Sequence, residues 1–251
     1  MASALSLDGI PVTQLAARWC VPGVHFHARL RSSMDTAHEL ATAGAAGGTV
    51  VACEAQTCGR GRDGRTWHSP PGGVWIALVL RPPIAPPGAV AIRAGLAVAS
   101  AVDQLLDDTA TGLKWPNDVL LGERKLAGVL GESRWVGDRL HWMVVGVGVN
   151  VRNPLPGDVD PPAVALVERA PAVRRIDVLD RLIPELAVQC AVAGTLTAAE
   201  CAAFRARDVL RDRLLRAPVV GRVRGIAPDG ALLVETATSV VAVREGRVAP
   251  A

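Results

Sequence analysis

Apolar and polar positions along the chain follow two periods, which predict a mixture of strands and helices. Residues 24–30 alternate in character, which predicts a half-buried strand, whereas residues 74–80 are continuously apolar, which predicts a buried one. Apolar residues recur at helical spacing over residues 90–106 and 176–193. Pro184 lies inside the second of these helices and predicts a kink or a boundary there.

The same patterns predict shorter helices and strands over most of the remaining chain. A short helix or arm is predicted for residues 1–22, where the apolar spacing is irregular. Ser32 to Asp35 offer a helix N-cap, so a helix is predicted over residues 36–46. Further strands are predicted over residues 49–54, 125–132 and 140–151, and a further helix over residues 197–210.

Pro116 interrupts the strand that is predicted over residues 112–121. Proline lacks the N–H that a strand ladder uses, and it pushes the preceding residue toward extended geometry. An interrupted strand presents its side chains irregularly. A tight turn at residues 122–124 follows, so Lys114 and Lys125 are predicted to lie on neighbouring antiparallel strands.

The hydrophobic pattern of the chain changes near residue 210. Short alternating strands are predicted over residues 219–226, 231–236 and 240–243, separated by turn residues. We therefore expect two domains, one covering residues 1–210 and a small one covering residues 211–251. The second is too small to be stable alone with ease, so we expect it to pack against the first.

Composition narrows the class of protein. The 251 residues are half hydrophobic and carry a net charge of only +3, which argues against a dedicated nucleic-acid-binding protein. The five cysteines form no CxxC pair, so neither a disulfide framework nor a zinc site is indicated, and a reducing cytoplasm is the expected location. The longest apolar runs are too short to span a bilayer, and no charged leader opens the sequence.

Candidate chemistry begins in the segment between Glu54 and Trp67, which mixes glycine with arginine. Glycine lets backbone N–H groups approach a ligand closely, and guanidinium groups donate paired hydrogen bonds to a carboxylate or a phosphate. The segment is therefore interpreted as an anion-binding loop, with a solvated surface loop as the alternative. The residues concerned are Gly59, Arg60, Gly61, Arg62, Gly64 and Arg65.

Lysine is rare in this chain, because only Lys114 and Lys125 remain among 27 basic residues. Both are candidates for chemistry that needs a compact ammonium group, with chance survival as the alternative. Asn117 and Asp118 follow Lys114 closely, and this set of a cation, an amide and a carboxylate suits contacts to a nucleotide and Mg²⁺. Gly146 and Gly148 interrupt a strand-forming run, which indicates either a close approach or a bulge.

Three motifs occur in an order that resembles the biotin protein ligase family: Gly-Arg-Gly-Arg-Asp-Gly-Arg, Lys-Trp-Pro-Asn-Asp and Lys-Leu-Ala-Gly. The resemblance covers residues 24–245. It implies an α/β (α+β) fold with a mixed, largely antiparallel sheet of the class II synthetase and biotin ligase type, followed by a small SH3-like β-barrel. It also implies a reaction in which ATP and biotin form biotinyl-5′-AMP, after which a lysine of a biotin carboxyl carrier domain in a biotin-dependent carboxylase takes the biotin.

The resemblance also assigns roles to residues. The catalytic set that it implies is Lys125, Arg62 and Asp118. Biotin would be bound by Ser32, Ser33, Gln56, Gly59, Arg60, Arg62, Trp67, Lys125 and Gly128. ATP would be bound by Arg60, Arg62, Arg65, Trp67, Lys114, Asn117, Asp118 and Asn150. Mg²⁺ would enter with the nucleotide, with Asp118 as a candidate ligand.

Two positions depart from the family pattern. Ser32, Ser33 and Met34 stand where the family commonly has Ser-Thr-Asn, so one amide contact is missing, and Cys58 stands where alanine is common. The N-terminal DNA-binding domain of repressor-type members is not expected, and operator binding is therefore not predicted. Either a monomer or a homodimer is compatible with the sequence.

Two other functions compete with this hypothesis. Lipoate or octanoate transfer belongs to the same fold superfamily, although the Arg/Gly loop beside Lys-Trp-Pro-Asn-Asp favours biotin. A non-enzymatic nucleic-acid-binding module would also use an arginine-rich loop and a small barrel. It predicts binding with a steep dependence on salt, whereas the ligase hypothesis does not.

Overall fold

A seven-stranded sheet carries the core in the computed structural model, which describes residues 5–107, 110–157 and 159–251. The helices among these residues are α1 Val12–Arg18, α2 Ser33–Thr42, α3 Pro87–Asp103, α4 Arg175–Ala191 and α5 Ala198–Arg207. The strands up to the end of the large sheet are β1 Ser6–Leu7, β2 Ile10–Pro11, β3 Val24–Leu30, β4 Val50–Gln56, β5 Val74–Leu80, β6 Gly112–Lys114, β7 Asp118–Leu121, β8 Arg124–Val136 and β9 Arg139–Val149. The remaining strands are β10 Leu214–Ala217, β11 Gly221–Ile226, β12 Leu232–Glu235, β13 Val240–Val243 and β14 Ala249–Pro250.

The large sheet has the order β3-β4-β5-β9-β8-β7-β6. Within it β3 and β4 pair in parallel, and the other neighbours pair antiparallel. Helices α3 and α4 cover one face and bury the larger apolar cluster, whereas α2 covers part of the other face with Met34 and Ala37. The predicted mixed, largely antiparallel α/β class is therefore confirmed.

The C-terminal sheet, residues 214–250, forms a separate five-stranded unit with the order β13-β12-β11-β10-β14. Its core contains Leu215, Val223, Leu232 and Val234, all less than 1% exposed. Strands of a small C-terminal β-structure were predicted from the sequence and are confirmed. Strands β10 and β14 were not predicted, and neither was the β1-β2 hairpin.

Several predicted bounds match the structure. Strands β3, β5 and β13 begin and end at the predicted residues. Helix α2, by contrast, begins three residues earlier than predicted, at Ser33, and ends at Thr42. It ends early because Gly44 adopts a φ of +90°, in the left-handed region that stops a helix. The arm predicted for the N-terminus contains α1, and residues 1–4 of it lie outside the described residues.

Two predictions about proline were wrong in detail. Of the predicted kink or boundary at Pro184, the boundary is absent, because helix α4 continues through that residue. Buried side chains on both sides, Leu182, Ile183 and Leu186, pack into the core and outweigh the hydrogen bond that proline cannot make. Between β6 and β7 the chain reverses direction at Pro116 and does not continue as one interrupted strand.

This reversal corrects the predicted placement of the two lysines. Lys114 pairs with Asp118 across the β6-β7 hairpin, and β7 in turn pairs with β8, which carries Lys125. Strand β7 therefore lies between the strands of Lys114 and Lys125, which are not neighbours as predicted. The reason is local: the Trp115–Pro116 turn is tight enough to fold β6 back along β7.

Arg93 is a fully buried cation on α3, with 0% exposure of its side chain. Its guanidinium donates to Glu200 with a shortest contact of 2.6 Å from Nε to Oε1, and to the carbonyl oxygens of Val192, Gly194 and Thr195 at 2.7–3.2 Å. The group therefore fastens the α4–α5 connection onto α3. These acceptors satisfy the N–H groups of the guanidinium, and the carboxylate of Glu200 balances its charge.

We expect the Glu200→Gln variant to lose the dependence of stability on acid pH that this pair creates. The hydrogen bond from Arg93 lowers the pKa of Glu200 from 4.5 to about 2. A carboxyl group whose pKa is lowered on folding stabilises the protein above its unfolded pKa, and this contribution is lost as pH falls toward the folded pKa. The slope of the free energy of unfolding between pH 4.5 and about 2 should therefore be shallower in the variant.

Chemical denaturation at several pH values measures that slope. Glu123→Gln, at an exposed position in the turn between β7 and β8, is the matched control and should keep the slope of the original chain. Equal slopes in the original chain and Glu200→Gln would contradict the prediction.

No helix in the described part of the chain is long and apolar enough to cross a membrane.

Candidate active site

A cavity of about 400 Å³ opens on the face of the large sheet that α2 also covers. Its floor is formed by β7, β8 and β9, and its rim by the start of α2 and by the loop that follows β4. A further wall, which the sequence analysis did not assign to a site, comes from Leu155, Pro156, Val159, Asp160, Pro161 and Ala163. Backbone hydrogen bonds fix this wall, because Lys125 N–H donates to Pro162 and Val164 N–H donates to Lys125.

The cavity brings together most of the residues that the sequence analysis selected. Those that line it are Ser32, Ser33, Gln56, Arg60, Arg62, Arg65, Trp67, Asn117, Asp118, Lys125, Gly128 and Asn150. Gly59 and Lys114 do not line it. Lys114 borders a much smaller recess on the other side of the β6-β7 hairpin, beside Pro116 and Phe204.

The Arg/Gly loop folds back on itself. Trp67 N–H donates to the Gly59 carbonyl at 2.8 Å, and Gly61 N–H donates to the Arg65 carbonyl at 2.8 Å. A Cβ atom at Gly59 would lie 2.3 Å from the Trp67 carbonyl oxygen and 2.5 Å from Ser69 Oγ. Glycine at position 59 therefore allows the two ends of the loop to meet, which is a structural reason for this residue.

Gln56 fixes the junction between the loop and α2. Its Oε1 accepts hydrogen bonds from Ser33 N–H at 2.7 Å and from Ser33 Oγ at 3.0 Å, and its Nε2 donates to Ser69 Oγ at 2.8 Å. Ser32 and Ser33 are only 1% and 3% exposed. The polar end of the cavity is therefore held in a fixed arrangement by hydrogen bonds within the protein.

Lys125 carries an ammonium group on the floor of the cavity. Its Nζ lies 2.6 Å from Asp118 Oδ1 and 5.0 Å from the centre of the Trp67 ring, close enough for a cation–π contact. Asn117 Nδ2 donates to the Val129 carbonyl at 2.6 Å, and the Asn117 carbonyl accepts from Val129 N–H at 2.9 Å. The side chain of Asn117 thus holds the β6-β7 turn against β8.

Two glycines on β9 make room for two side chains of the cavity. A Cβ atom at Gly148 would lie 2.4 Å from Trp67 Nε1, and one at Gly146 would lie 2.7 Å from Met34 Sδ. Strand β9 pairs with β5 in unbroken register through both glycines, so a close approach is present there and a bulge is not. Trp67 Nε1 is buried against this surface without a hydrogen-bond partner among the described residues.

Arg60 is held from two sides by carboxylates that the sequence analysis did not select. Asp35 on α2 forms an ion pair with its Nη1, and Glu132 on β8 accepts from Nε at 3.2 Å and from Nη2 at 3.1 Å. Although burial opposes the charge, the hydrogen bonds to Asp35 and Glu132 raise the pKa of Arg60. The guanidinium thus anchors the loop to the sheet and to α2.

His38 completes this network. Its Nδ1 accepts from Trp142 Nε1 at 3.0 Å, so its proton lies on Nε2, which donates to Glu132 at 3.0 Å. This hydrogen bond is the largest cause that lowers the pKa of Glu132. A signal for Glu132 was present in the sequence, because it lies on the same strand face as Gly128, which was selected.

Replacing Arg60 with alanine is expected to loosen the loop in the ligand-free protein. The loop would lose its contacts to Asp35 and Glu132, and amide hydrogen exchange over residues 59–67 should become about tenfold faster, since a charge-assisted pair contributes about 1.5 kcal/mol. Arg65→Ala in the same loop is the control, because Arg65 is exposed and forms no ion pair with another described residue. Equal exchange in both variants would show that Arg60 is not an anchor.

Comparison with known proteins gives matches to two family models and to curated relatives. A family model described as the biotin/lipoate A/B protein ligase family matches residues 26–150, and one described as the biotin protein ligase C terminal domain matches residues 213–249. A bifunctional ligase/repressor BirA of Bacillus subtilis is 35% identical over 234 residues, which cover 86% of this chain and 71% of that protein. The chain belongs to the biotin/lipoate A/B protein ligase family.

Other members of the family show the same relationship. A biotin--[acetyl-CoA-carboxylase] ligase of Mycobacterium tuberculosis is 34% identical over 214 residues, 80% of this chain and 78% of its own length. Among solved structures, a biotin protein ligase of Aquifex aeolicus in complex with biotin and ATP has a TM-score of 0.76 at 22% identity and covers 92% of this chain and 99% of that one. At this identity the likeness supports the fold.

Proposed function

We propose that this chain is a biotin protein ligase. It would activate biotin with ATP to give biotinyl-5′-AMP and pyrophosphate, and then transfer the biotin to a lysine of a biotin carboxyl carrier domain. The observation that carries the proposal is the convergence of Lys125, Asp118 and the Arg/Gly loop on one cavity. Two relatives support it by their names: the bifunctional ligase/repressor BirA of Bacillus subtilis and the biotin--[acetyl-CoA-carboxylase] ligase of Mycobacterium tuberculosis.

The electrostatics of the cavity suit the first step. A carboxylate oxygen of biotin must attack the α-phosphorus of ATP, and the P–O bond to pyrophosphate must break. Both reactants are anions, so the barrier falls when a fixed cation lies between them. Lys125 Nζ is the cation on the cavity floor, and Arg62 lines the same cavity from the loop without an ion pair to another described residue.

The second step needs a nucleophilic amine and a protected anhydride. The ε-amine of the carrier lysine attacks the carbonyl carbon of the mixed anhydride, an amide bond forms, and AMP leaves. Asp118 lies beside Lys125 and would accept or orient the proton of the incoming amine. Arg62 and Trp67 belong to the loop that would cover the adenylate and keep water from it.

Mg²⁺ is proposed as a companion of the nucleotide. The described residues contain no cluster of three or more histidine, cysteine or acidic side chains suited to a metal, and the cavity offers the carboxylate of Asp118. This donor set fits an ion that keeps most of its ligands from phosphate oxygens and water. The ion, when bound, would neutralise phosphate charge.

The remaining roles follow from position. Ser32, Ser33 and Gln56 form the polar end where the biotin head would bind, and Asn150 would contact the nucleotide. A division into a catalytic domain of residues 1–210 and a small domain of residues 211–251 is proposed on the basis of the two separate sheets. The cytoplasmic location and the choice between a monomer and a homodimer stay predictions.

Transfer of one biotinyl group to a carboxylase carrier domain tests the proposal. The purified chain is incubated with ATP, Mg²⁺, biotin and the carrier domain, and the carrier mass is measured. Parallel reactions replace biotin with lipoate or octanoate. A mass gain with biotin supports the ligase, gain with lipoate or octanoate alone favours the transferase alternative, and no gain with any acid together with strongly salt-dependent binding of nucleic acid would favour the binding module.

A further inference from the structure

The Lys-Trp-Pro-Asn-Asp motif is connected to the C-terminal sheet by a buried hydrogen bond. The Trp115 side chain is 2% exposed, and its Nε1 donates to the carbonyl oxygen of Gly230 at 2.9 Å. Gly230 lies in the turn between β11 and β12. Trp115 is not among the residues that line the cavity, so its indole serves the protein interior and not a ligand.

The turn that accepts this bond is itself fixed by the rest of the protein. Its carbonyl at Pro228 accepts from Leu196 N–H at 2.7 Å, which ties it to the α4–α5 connection. A Cβ atom at Gly88 would lie 2.6 Å from the Asp229 carbonyl oxygen, so the turn presses directly against the first turn of α3. Gly230 adopts a φ of +88°, which glycine tolerates and other residues rarely do.

Trp115 is also close in sequence to two residues that line the cavity. Asn117 and Asp118 follow it after one residue, and Asn117 is bound to Val129 through both its side chain and its carbonyl group. Asp118 then holds Lys125 Nζ at 2.6 Å. A displacement of the Trp115 indole would therefore also displace Asp118, and with its carboxylate the ammonium group of Lys125 in the cavity.

We infer that Trp115 is a positioning residue through which the C-terminal β11–β12 turn sets the nucleotide side of the site. The inference rests on the proposed function and deepens it, since it assigns the C-terminal sheet a part in binding ATP. The sheet acts at a distance: the carbonyl of Gly230 holds the indole, and the indole holds the segment that carries Asn117 and Asp118.

Trp115→Phe removes the indole N–H and keeps an aromatic side chain. Loss of one buried hydrogen bond should raise the KM for ATP about two- to tenfold in biotin-dependent pyrophosphate exchange, while the KM for biotin stays within about twofold. A merely structural contact would lower the active fraction, and thus the apparent kcat, without separating the two KM values.

Hydrogen exchange supplies a measurement that needs no activity. Val129 N–H is bonded to the Asn117 carbonyl, so in ligand-free Trp115→Phe its exchange should be about two- to tenfold faster. Trp19→Phe is the matched control, because Trp19 Nε1 also donates at 2.9 Å, to Asp180, and its side chain is also buried. That variant should match the original chain at Val129 and in both KM values.

The outcomes separate the inference from the proposed function. The inference is overturned if Trp115→Phe and Trp19→Phe have the same KM values and the same hydrogen exchange at Val129. It is also overturned if only one of the two quantities, the KM for ATP or the exchange at Val129, changes in Trp115→Phe. If the original chain shows no pyrophosphate exchange, the proposed function is overturned, and with it the inferred role of Trp115 in positioning ATP. Hydrogen exchange at Val129 then still tests whether Trp115 holds the segment of Asn117 in place. If Trp115→Phe does not fold, Gly88→Ala pushes the turn away with the indole intact and should give the same two changes.

Discussion

Lys125→Ala should lower the rate of biotinyl-adenylate formation about 10²–10³-fold, the usual effect of removing one group that stabilises developing charge in a closed site. The ammonium group lies 2.6 Å from Asp118 at the floor of the cavity, and Lys114, the other lysine of the chain, does not line the cavity and so does not replace it. Pyrophosphate exchange with biotin measures the rate directly. Circular dichroism and thermal unfolding of the same samples establish that the fold is retained.

Two further variants define what Lys125 supplies. Lys125→Arg keeps the charge but replaces a compact ammonium with a planar group, and we expect it to restore only a small part of the rate. Arg124→Ala, one position earlier, is the control, because Arg124 pairs with Glu168 and does not line the cavity. Turnover by Lys125→Ala near that of Arg124→Ala would remove Lys125 from the catalytic role.

Arg93→Ala should lower the free energy of unfolding by about 3 kcal/mol, since a hydrogen bond to a charged group contributes about 1.5–3 kcal/mol and this buried guanidinium makes several. Three backbone carbonyls of the α4–α5 connection would lose their donor, and Glu200 would lose its charged partner. Urea denaturation at neutral pH gives the difference. A loss of this size is a large part of the stability of an ordinary domain.

Arg174→Ala is the comparison for this prediction. Arg174 also pairs with an acidic residue, Asp177, but it is 59% exposed and lies at the start of α4. Exposed ion pairs add little, so its unfolding midpoint should stay close to that of the original chain. If Arg93→Ala were as stable as Arg174→Ala, the α4–α5 connection would not depend on the buried cation.

The parts of the fold that could be predicted from the sequence are those with a regular period. Strand β5 is apolar at every position because both of its faces are buried, whereas β3 lies at the sheet edge and buries only Phe26. Strands β10 and β14 were missed because they are short and include or adjoin proline. Strand β10 pairs with both β11 and β14, and these pairings supply the backbone hydrogen bonds that the local sequence does not specify.

The site was predictable where a motif carries its own chemistry and not where distant residues supply it. The arginines and glycines of the loop are contiguous, and Lys125 is one of two lysines, so both could be selected without a structure. Asp35 and Glu132 are 25 and 72 positions away from Arg60, and only the folded chain shows that they bind it. The β6-β7 reversal was likewise invisible, because a proline can interrupt a strand or turn it back.

The contact of Met34 with Gly146 links two positions that are far apart in the chain. Because a Cβ atom at position 146 would lie 2.7 Å from Met34 Sδ, a larger residue there requires the Met34 side chain to move away or a smaller residue at position 34. The methionine that departs from the common Ser-Thr-Asn pattern thus packs into space left by a glycine on β9. In a library that varies both positions at once, functional members should show an inverse relation between the two side-chain volumes, so that evolution at one site is conditional on the other.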